Sequence, residues 1–320
     1  MKALVIDKPT KAEDVKLIDY PIPKVKSGWV LVKIRAFGFN HSEQILRLEE
    51  ISAPYIQKPV IPGIECVGEI ADASDSHFKV GQKVIALMGG MGRSFNGSYA
   101  QYALLPVHHV FTIESNLSWE ELGAIPETYF TAWGSLVECL HLQKGDKLLI
   151  RGATCALGYA AISLAKAMGA FVIATTHREN KIPLLEKTAT DKVLFDNGFL
   201  KNKFDFVDKA LELVGAKTLL DTMEVVKPSP QAYVCHTGIL GGVYDLNNFD
   251  PIKDIPNGVY LTGFFSNYPT QSIIDDIFNF INEKKIKPHI GKIYDFNDLR
   301  QACIDQDSGK VNGKIIVCVS

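Results

Sequence analysis

The chain has 320 residues, of which 47% are hydrophobic, and a formal net charge of −2. A chain of this length suits two moderate domains or one large one, and its hydrophobic residues suffice for sizeable cores. Because only 22% of the residues are charged and no basic run occurs, the composition argues against a nucleic-acid-binding protein and favours an ordinary globular one.

The first part of the chain, residues 1–122, has the pattern of short β-strands. Strands are predicted at residues 3–6, 30–36, 67–71 and 83–87. Prolines and glycines separate them, and no regular helical periodicity lies between them. Strands without intervening helices predict a barrel-like or partly open antiparallel domain.

Residues 147–174 carry the most informative local pattern. An apolar run is followed by a small-residue turn from Gly152 to Gly158, then a helix with apolar residues at three- and four-residue spacing and a second apolar run. This is the βαβ unit that binds dinucleotides. Of the three glycine positions in the G-x-G-x-x-G fingerprint, Ala153, Cys155 and Gly158, only the last is glycine, so an ordinary strand–helix crossover is the alternative. The helix N-terminus offers free N–H groups to a phosphate, and the predicted contacts are Ala153, Thr154, Cys155, Ala156, Leu157 and Gly158.

From residue 123 onward helices and apolar strands alternate. Helices are predicted at residues 181–188, 205–214, 218–226 and 272–283, and strands at residues 192–195, 233–237, 259–264 and 314–319. The alternation predicts a doubly wound parallel sheet over residues 123–265, so the fold class is α/β. The last segment is expected to return to the first domain, which then consists of residues 1–122 and 266–320.

Several short motifs occur in a fixed order along the chain. They are Gly38-Phe39-Asn40 followed by Arg47, the segments 63–68 (GIECVG), 80–84 (VGQKV) and 97–102 (GSYAQY), the turn 152–158, and 238–241 (GILG). Together they resemble the medium-chain dehydrogenase/reductase superfamily, in particular its zinc-less quinone oxidoreductase branch, over essentially the whole chain. The resemblance implies a GroES-like β-barrel-type catalytic domain plus a Rossmann NADP-binding domain. It also implies a homodimer, formed along an edge strand at residues 259–265.

The zinc sites of metal-dependent relatives are not expected in this chain. Those relatives have a cysteine and a histidine where this chain has Asn40 and Ile64; isoleucine has no donor atom, and a neutral amide is a poor zinc ligand. Their four-cysteine lobe has no counterpart in residues 88–96. His41 and the pair His108-His109 lack a cysteine partner at a useful spacing, and the six cysteines are scattered. We therefore predict no bound metal, and reduced, packed thiols as in a cytoplasmic protein.

Three residues are predicted to act on the reactants. The resemblance implies that Asn40 hydrogen-bonds the substrate carbonyl or the nicotinamide ribose and that Thr131 contacts the nicotinamide carboxamide. Tyr129 has a phenol that, near the nicotinamide, could orient a carbonyl or donate a proton. The structural alternatives are a turn asparagine, a hydroxyl bonded within its own helix, and a packed aromatic ring. Arg47 stays open between a contact with substrate or cofactor and a solvated arginine on a helix face. Glu65 stays open between orienting the site, as in relatives, and binding an arginine within the first domain.

The end of the second strand of the βαβ unit determines the expected cofactor. NAD-specific sites place an acid there, whereas this chain reads Thr175 to Lys181 with no acid at the strand end. Glu179 falls in the first turn of the next helix, where acids are common. Arg178 and Lys181 can pair with a 2′-phosphate, so NADPH is predicted. The contacts expected beyond the phosphate turn are Thr175, Thr176, His177, Arg178, Lys181, Gly238, Ile239 and Leu240.

The sequence therefore predicts an NADPH-dependent, zinc-independent oxidoreductase that transfers a hydride to a quinone or an α,β-unsaturated carbonyl compound. The alternatives are an enoyl-thioester reductase, whose tyrosine is matched only by Tyr55 at the wrong spacing, an alcohol dehydrogenase-like enzyme, and a non-catalytic NADPH-binding protein. The expected partners are a small-molecule substrate and a second copy of the chain. No apolar stretch of about 18 residues and no signal-peptide pattern occurs, so we expect a cytoplasmic protein with no membrane or nucleic-acid partner.

Overall fold

The computed structural model describes residues 1–320, and the chain divides into two compact units. Unit 1 comprises Met1–Phe130 and Asn267–Ser320, and unit 2 comprises Thr131–Ser266. The boundaries expected after residues 122 and 265 lie near this division. The boundary between the units, at residues 130 and 131, falls inside the helix Pro126–Trp133, so no turn or glycine in the sequence indicates it. The assignment of residues 1–122 and 266–320 to a catalytic domain, and of residues 123–265 to an NADP-binding domain, stays a prediction.

Fifteen strands form three sheets. In chain order they are β1 (Lys2–Leu4), β2 (Leu17–Asp19), β3 (Trp29–Gly38), β4 (Glu65–Asp72), β5 (Lys83–Leu87), β6 (Tyr102–Pro106), β7 (Val110–Thr112), β8 (Lys147–Arg151), β9 (Phe171–Thr176), β10 (Lys192–Phe195), β11 (Lys209–Glu212), β12 (Tyr233–His236), β13 (Tyr260–Gly263), β14 (Ile290–Asp295) and β15 (Lys314–Cys318). The pair β1 and β2 forms a small antiparallel sheet of its own.

Nine α-helices accompany the strands. They are α1 (His41–Leu48), α2 (Trp119–Gly123), α3 (Pro126–Trp133), α4 (Ala156–Ala167), α5 (Ile182–Glu186), α6 (Ala216–Glu224), α7 (Pro251–Asp254), α8 (Gln271–Lys284) and α9 (Leu299–Asp307). A π-helical segment, Gly134–Cys139, follows α3 directly. Single 3₁₀ turns lie at Ala12–Asp14, Glu50–Ser52, Val107–His109, Glu179–Lys181 and Phe296–Asp298. None of the helices is long and apolar enough to cross a membrane.

Unit 1 is built on a seven-stranded sheet with the order β14-β15-β3-β4-β5-β7, in which β6 also pairs with β3. All its pairings are antiparallel except that of β14 with β15. In β3, Val32, Ile34 and Ala36 are buried while Lys33 and Arg35 are partly exposed, because successive side chains of a strand point to opposite faces. The C-terminal strand β15 lies beside the end of β3, which positions the second of the two sites described below.

Unit 2 contains a six-stranded, all-parallel sheet with the order β10-β9-β8-β11-β12-β13. The predicted parallel sheet is therefore confirmed. The apolar residues of β8 and β11 are fully buried, as expected for central strands of a parallel sheet. Because all strands run in one direction, the turns after β8, β9 and β12 meet at one edge of the sheet, where ligands bind in folds of this class.

The helix predicted at residues 205–214 is wrong. Lys209–Glu212 form β11, which lies between β8 and β12 near the middle of the sheet. Val207, Ala210, Leu211 and Val214 have helical spacing, and alanine, leucine and glutamate favour helices locally. Burial between two neighbouring strands outweighs that local preference.

Candidate active site

The turn after β8 leads directly into α4, as predicted for a βαβ unit. Gly152 has a φ of +81°, a conformation that residues with a side chain rarely adopt. A Cβ atom added to Gly158 would lie 2.2 Å from the carbonyl oxygen of Ala153, so the start of the helix packs against the backbone of the turn. This close approach is the function of the third glycine in the dinucleotide fingerprint, and a residue with a side chain would not fit at this position.

Cys155 occupies the middle position of the fingerprint, and its side chain turns back onto the helix. It is the N-cap residue of α4, with extended backbone, and its Sγ accepts a hydrogen bond from the N–H group of Gly158 at 3.3 Å. Burial raises the pKa of the thiol, while the N–H groups of Gly158 and Leu157 oppose that rise. The thiol therefore uses an N–H group that is available for a phosphate in other βαβ units. Because a neutral thiol is a weak acceptor, a phosphate is the stronger partner for that group.

Two threonines at the end of β9 fix the phosphate turn. The N–H group of Gly152 donates to Thr175 Oγ1 at 3.1 Å, and that of Ala153 donates to the Thr175 carbonyl oxygen at 2.9 Å. The hydroxyl oxygens of Thr154 and Thr176 lie 3.2 Å apart and share a hydrogen bond. Thr175 and Thr176 are both fully buried, so the structure places these two predicted contact residues in support of the turn.

Two positively charged side chains follow those threonines. The backbone N–H group of Arg178 donates to Thr176 Oγ1 at 3.2 Å, and its Nε lies 3.4 Å from Nε2 of His177. Burial and then the positive charge of Arg178 lower the pKa of Lys181, whereas the Cys155 thiol acts in the opposite direction. The two cations thus interact with each other and with the phosphate turn. An anion bound between them would relieve their repulsion.

The second predicted cofactor turn follows β12. A Cβ atom added to Gly238 would lie 2.3 Å from the carbonyl oxygen of Leu213, and the N–H group of Leu240 donates to that oxygen at 3.1 Å. A Cβ atom added to Gly152 would lie 3.3 Å from Leu240 Cδ1, so the two turns adjoin, with Ile239 between Gly238 and Leu240. The structure therefore brings the predicted contact residues from three strand ends together at one edge of the sheet.

A buried arginine that the sequence analysis missed lies at the end of β8. Arg151 donates two hydrogen bonds to Asp196, at 2.7 and 3.0 Å, and one to Asp221 at 2.7 Å. Burial alone would raise the pKa of Asp196, but the hydrogen bonds from Arg151 hold that pKa below its ordinary value. Asp196, which directly follows β10, is therefore paired with Arg151. The only signal in the sequence is an arginine that directly follows the apolar run of β8.

In unit 1, Asn40 lies between the end of β3 and the start of α1. It is the N-cap residue of α1, yet its side chain makes no capping hydrogen bond. Instead, its Oδ1 accepts from Lys314 Nζ at 2.5 Å, and its Nδ2 donates to Glu65 Oε1 at 2.9 Å. Charged groups therefore hold both ends of the amide and fix its orientation, which an ordinary turn asparagine does not require.

Lys314, the first residue of β15, is the centre of this cluster. Its ammonium group is buried and lies 2.7 Å from both Glu65 Oε1 and Thr128 Oγ1. The second carboxylate oxygen of Glu65 accepts from the N–H group of Glu127 at 2.6 Å. Glu65 thus contacts Asn40 directly and also through Lys314. Sequence reasoning missed Lys314, although a lysine at the start of the apolar run Ile315–Val317 is a signal that could have indicated it.

Glu43, within α1, adds a second carboxyl group to the cluster. Only 2% of it is exposed; its Oε1 accepts from the N–H group of Ile64 at 3.1 Å and from Asn40 Nδ2 at 3.4 Å, whereas its Oε2 has no hydrogen-bond partner. Burial, and then the negative charge of Glu65, raise the pKa of Glu43 to about 7. The group can therefore gain or lose a proton near neutral pH. The sequence analysis missed it, since a glutamate in a short helix is usually solvated.

The residues of this cluster do not fit a zinc ion. The ammonium group of Lys314 already contacts the Asn40 and Glu65 oxygens that a metal would need, and a positive charge there opposes a divalent cation. Ile64 contributes its backbone N–H group to Glu43 and no side-chain donor. No three His, Cys, Asp or Glu side chains are grouped so that they could hold a metal.

The remaining predicted residues fall into two kinds. Tyr129 and Thr131 both lie on α3 and are buried, and their contacts with the reactants stay predictions. Arg47 is a structural residue of unit 1. It is buried and donates to the Thr10 carbonyl oxygen at 2.7 Å and to Asp307 at 2.6 Å. Arg47 is therefore not a solvated arginine, and its guanidinium group is already bound to Thr10 and Asp307.

Two family models match the chain. Residues 26–115 match the model of the alcohol dehydrogenase GroES-like domain, and residues 188–317 match that of a zinc-binding dehydrogenase. The first match lies wholly in unit 1 and confirms the predicted GroES-like domain. The second match carries a name that refers to zinc, although the cluster around Lys314 in this chain does not fit the metal.

Comparisons with individual proteins agree with these matches. Human quinone oxidoreductase is 30% identical over 208 residues, covering 62% of this chain and 58% of its own, so the chain matches less than two thirds of that relative. A zinc-type alcohol dehydrogenase-like protein of Schizosaccharomyces pombe is 25% identical over 350 aligned positions, covering 99% of both chains. The structure of the YhdH oxidoreductase from Salmonella enterica, solved in complex with NADP, superposes with a TM-score of 0.85 at 18% identity, over 100% of both chains, which shows a common fold. The predicted resemblance is confirmed at this level: the chain belongs to the medium-chain dehydrogenase/reductase superfamily.

Proposed function

We propose that this protein is an NADPH-dependent, zinc-independent oxidoreductase that transfers a hydride to a quinone or an α,β-unsaturated carbonyl compound. The proposal rests chiefly on Lys314. Its ammonium group pairs with Glu65 and binds Asn40 Oδ1, so the oxygen atoms that a metal ion would need as ligands are already occupied. Reduction of an electron-poor acceptor requires no Lewis acid of that kind. The similarity to human quinone oxidoreductase supports this acceptor class.

The edge of the parallel sheet supports NADPH as the cofactor. The backbone N–H groups of the turn 153–158 and the start of α4 would hold the pyrophosphate, and Arg178 and Lys181 would hold the 2′-phosphate. Thr175 and Thr176 keep the turn in place, and His177 lies against Arg178. Because Asp196 is paired with Arg151, it is not available to bind the ribose hydroxyls as the acid of an NAD site would. When bound, NADPH supplies the hydride.

On the substrate side, Asn40 has one donor group left. One N–H group of its amide donates to Glu65, and the other lies at a long distance, 3.4 Å, from Glu43. We expect that second N–H group to donate to the carbonyl oxygen of the substrate. The contact of Lys314 with Oδ1 polarises the amide and makes its N–H groups better donors. Thr131 and Tyr129 keep their predicted roles of positioning the reactants, and the proton that follows the hydride can come from water.

A panel of acceptors tests the reaction. NADPH binding is measured by its fluorescence, and NADPH consumption is then followed with small quinones, enones, an enoyl thioester and a simple aldehyde. Consumption with quinones or enones is expected, and chelators should leave the rate unchanged. Binding without consumption of NADPH for every acceptor would favour a non-catalytic NADPH-binding protein. Turnover confined to the enoyl thioester would favour the thioester reductase alternative.

A double variant tests the choice of cofactor. Arg178→Ala with Lys181→Ala is expected to raise KM for NADPH by at least about tenfold, because the loss of one charge-assisted hydrogen bond of about 1.5 kcal/mol corresponds to that factor. KM for NADH should change much less. Lys187→Ala, which removes an exposed positive charge beyond the end of α5, is the matched control. Equal effects of the double variant on both cofactors would contradict the assignment.

We also propose that the protein is a cytoplasmic homodimer. In unit 2, β13 is an edge strand of the parallel sheet, so its outer backbone groups are available to a second chain. The exposed Phe265 lies two residues beyond the end of this strand. Sedimentation velocity should show a dimer, and Phe265→Glu should weaken it. A wild-type protein that sediments as a monomer at micromolar concentration would refute the dimer.

A further inference from the structure

The hydroxyl group of Thr175 lies between the phosphate turn and a buried carboxylate. It accepts from the N–H group of Gly152 at 3.1 Å and donates to Asp196 Oδ2 at 3.3 Å. Because the hydroxyl hydrogen is directed at the carboxylate, a lone pair of the oxygen is left for the Gly152 N–H group. Without that acceptor the hydroxyl would be free to rotate and direct its hydrogen at Gly152. Asp196 therefore sets the direction of the hydrogen bond that holds Gly152.

Asp196 is itself held in one position. Its Oδ2 accepts from Arg151 Nε at 2.7 Å, and its Oδ1 accepts from Arg151 Nη2 at 3.0 Å and from the N–H group of Gly198 at 2.8 Å. The N–H group of Asp196 donates to the carbonyl oxygen of Thr176 at 2.9 Å. Both carboxylate oxygens are thus fixed by donors within the protein, and the residue is buried.

The other side of the Arg151 guanidinium group is bound to α6. Its Nη1 donates to Asp221 Oδ2 at 2.7 Å, to Thr222 Oγ1 at 2.9 Å and to the carbonyl oxygen of Thr218 at 3.1 Å. Replacing a complete buried ion pair with apolar side chains is often neutral or stabilising, so stability alone does not account for this one. Apolar side chains would not fix the rotation of the Thr175 hydroxyl, which the ion pair does.

We propose that Asp196, through the hydroxyl group of Thr175, positions the phosphate turn to receive the pyrophosphate of the cofactor. The inference rests on the proposed function, because it concerns the same turn. Gly152 opens the turn with a φ of +81°, and the turn leads to the N–H groups at the start of α4 that would hold the pyrophosphate. Since Asp196 acts through Thr175 and not on the cofactor itself, it is a positioning residue.

Thr175→Val tests the hydroxyl group, because valine has nearly the shape of threonine and lacks the oxygen. Kd for NADPH should rise by about two- to tenfold, the effect of losing one hydrogen bond, and Thr175→Ser, which restores a hydroxyl, should return Kd to near the wild-type value. Kd for 2′-AMP, which carries the 2′-phosphate and no pyrophosphate, should be the same in all of these proteins. Thr188→Val is the matched control and should change neither Kd, because the Thr188 hydroxyl donates to the Leu185 carbonyl oxygen near the end of α5.

Asp196→Asn tests the carboxylate, since the amide keeps its size but has only one oxygen to accept from Arg151 and Thr175. Kd for NADPH should rise at least as much as in Thr175→Val, with Kd for 2′-AMP unchanged. The proposal is overturned if Thr175→Val binds NADPH as tightly as the wild type, if Thr175→Ser binds it as weakly as Thr175→Val, or if Thr175→Val loses affinity for both ligands equally. These three results decide the matter even if Asp196→Asn does not fold.

Amide hydrogen exchange of the cofactor-free protein, followed by NMR, separates this inference from the proposed function. The Gly152 N–H group loses its acceptor in Thr175→Val, so it should exchange faster there than in the wild type, and Thr175→Ser should restore the slow rate. Equal exchange of Gly152 in these proteins would overturn the proposal, whether or not NADPH binds. Wild-type protein that binds neither NADPH nor 2′-AMP would count against the proposed function, while the exchange of Gly152 would still show whether the Thr175 hydroxyl holds the turn.

Discussion

Replacement of Glu43 by glutamine should make the protein more stable at alkaline pH and leave it unchanged in acid. Glu43 is buried, and one of its carboxyl oxygens has no hydrogen-bond partner. Burial and then the charge of Glu65 raise its pKa to about 7, although the Ile64 N–H group and the charges of Lys314 and Arg93 act in the opposite direction. Glutamine has nearly the shape of the protonated acid and stays neutral at every pH, so it removes the cost of ionising this group.

The magnitude follows from the two pKa values. In the unfolded chain the Glu43 carboxyl group has its ordinary pKa of 4.5, and in the folded protein about 7, so the folded state binds more protons between these values. The stability that the protonated group contributes is therefore fully present below pH 4.5 and is lost as the pH rises through about 7. The difference between the two pKa values corresponds to a free energy on the order of 3 kcal/mol. Wild type and Glu43→Gln should thus be nearly equal near pH 4.5 and differ by that amount at about pH 8.

Urea unfolding of both proteins across this pH range measures the effect. Trp29 and Trp119 belong to unit 1, so a Trp133→Phe background makes tryptophan fluorescence report on the unit that contains Glu43. Glu49→Gln, at the exposed end of the same helix, is the matched control and should show no pH-dependent difference. If the difference between wild type and Glu43→Gln is the same at both ends of the range, or favours the wild type at high pH, the reasoning is refuted.

Three further perturbations follow from the same structure. Lys314→Met removes the cation from two buried carboxyl groups and should lower the free energy of unfolding, measured in urea, by about 3–5 kcal/mol. Adding Glu65→Gln to this variant should recover part of the loss. If the losses of the two single variants simply add in the double variant, the interaction within the cluster is contradicted. Arg151→Met should likewise lower the free energy of unfolding of unit 2 by about 3–5 kcal/mol, because its ion pair is buried. Arg35→Met is the control: Arg35 and its partner Glu69 are 31% and 32% exposed, so the loss should be less than about 1 kcal/mol. Equal losses for the two variants would show that burial does not decide the strength of these ion pairs. Alkylation of Cys155, mapped by peptide mass, should weaken NADPH binding in a fluorescence titration, and saturating NADPH should slow the alkylation. Unchanged affinity of protein alkylated there would show that the thiol points away from the phosphate.

The central βαβ unit could be predicted because all its signals are local. The apolar runs, the small-residue turn and the helical spacing all lie between residues 147 and 176, and these segments form β8, α4 and β9. The turn is fixed by contacts of the same local kind, such as the capping of α4 by Cys155. Where the same reasoning was applied to residues 205–214, it failed, because a four-residue strand buried between two others has no periodicity by which to recognise it.

The cluster around Asn40 could be predicted only in part. The motif that contains Asn40 indicated a site, but the partners that hold its amide are far away in the chain, and Lys314 is separated from it by 274 positions. A lysine or a glutamate is read from sequence as a solvated residue, and only tertiary structure shows that it is buried. The same limit applies to Arg151, whose carboxylate partners lie 45 and 70 positions further on.

The position of Lys314 and the raised pKa of Glu43 both follow from the burial of two carboxyl groups side by side. Glu43 and Glu65 are two buried carboxyl groups that both accept from the amide of Asn40. Lys314 brings one positive charge and pairs with Glu65. Burial raises the pKa of Glu43 most, the negative charge of Glu65 raises it further, and the single positive charge of Lys314 opposes them only in part, so Glu43 keeps its proton up to about neutral pH. A lysine paired with one acid, beside a second acid that stays protonated, is therefore how two carboxyl groups can be buried around an asparagine without a set of metal ligands.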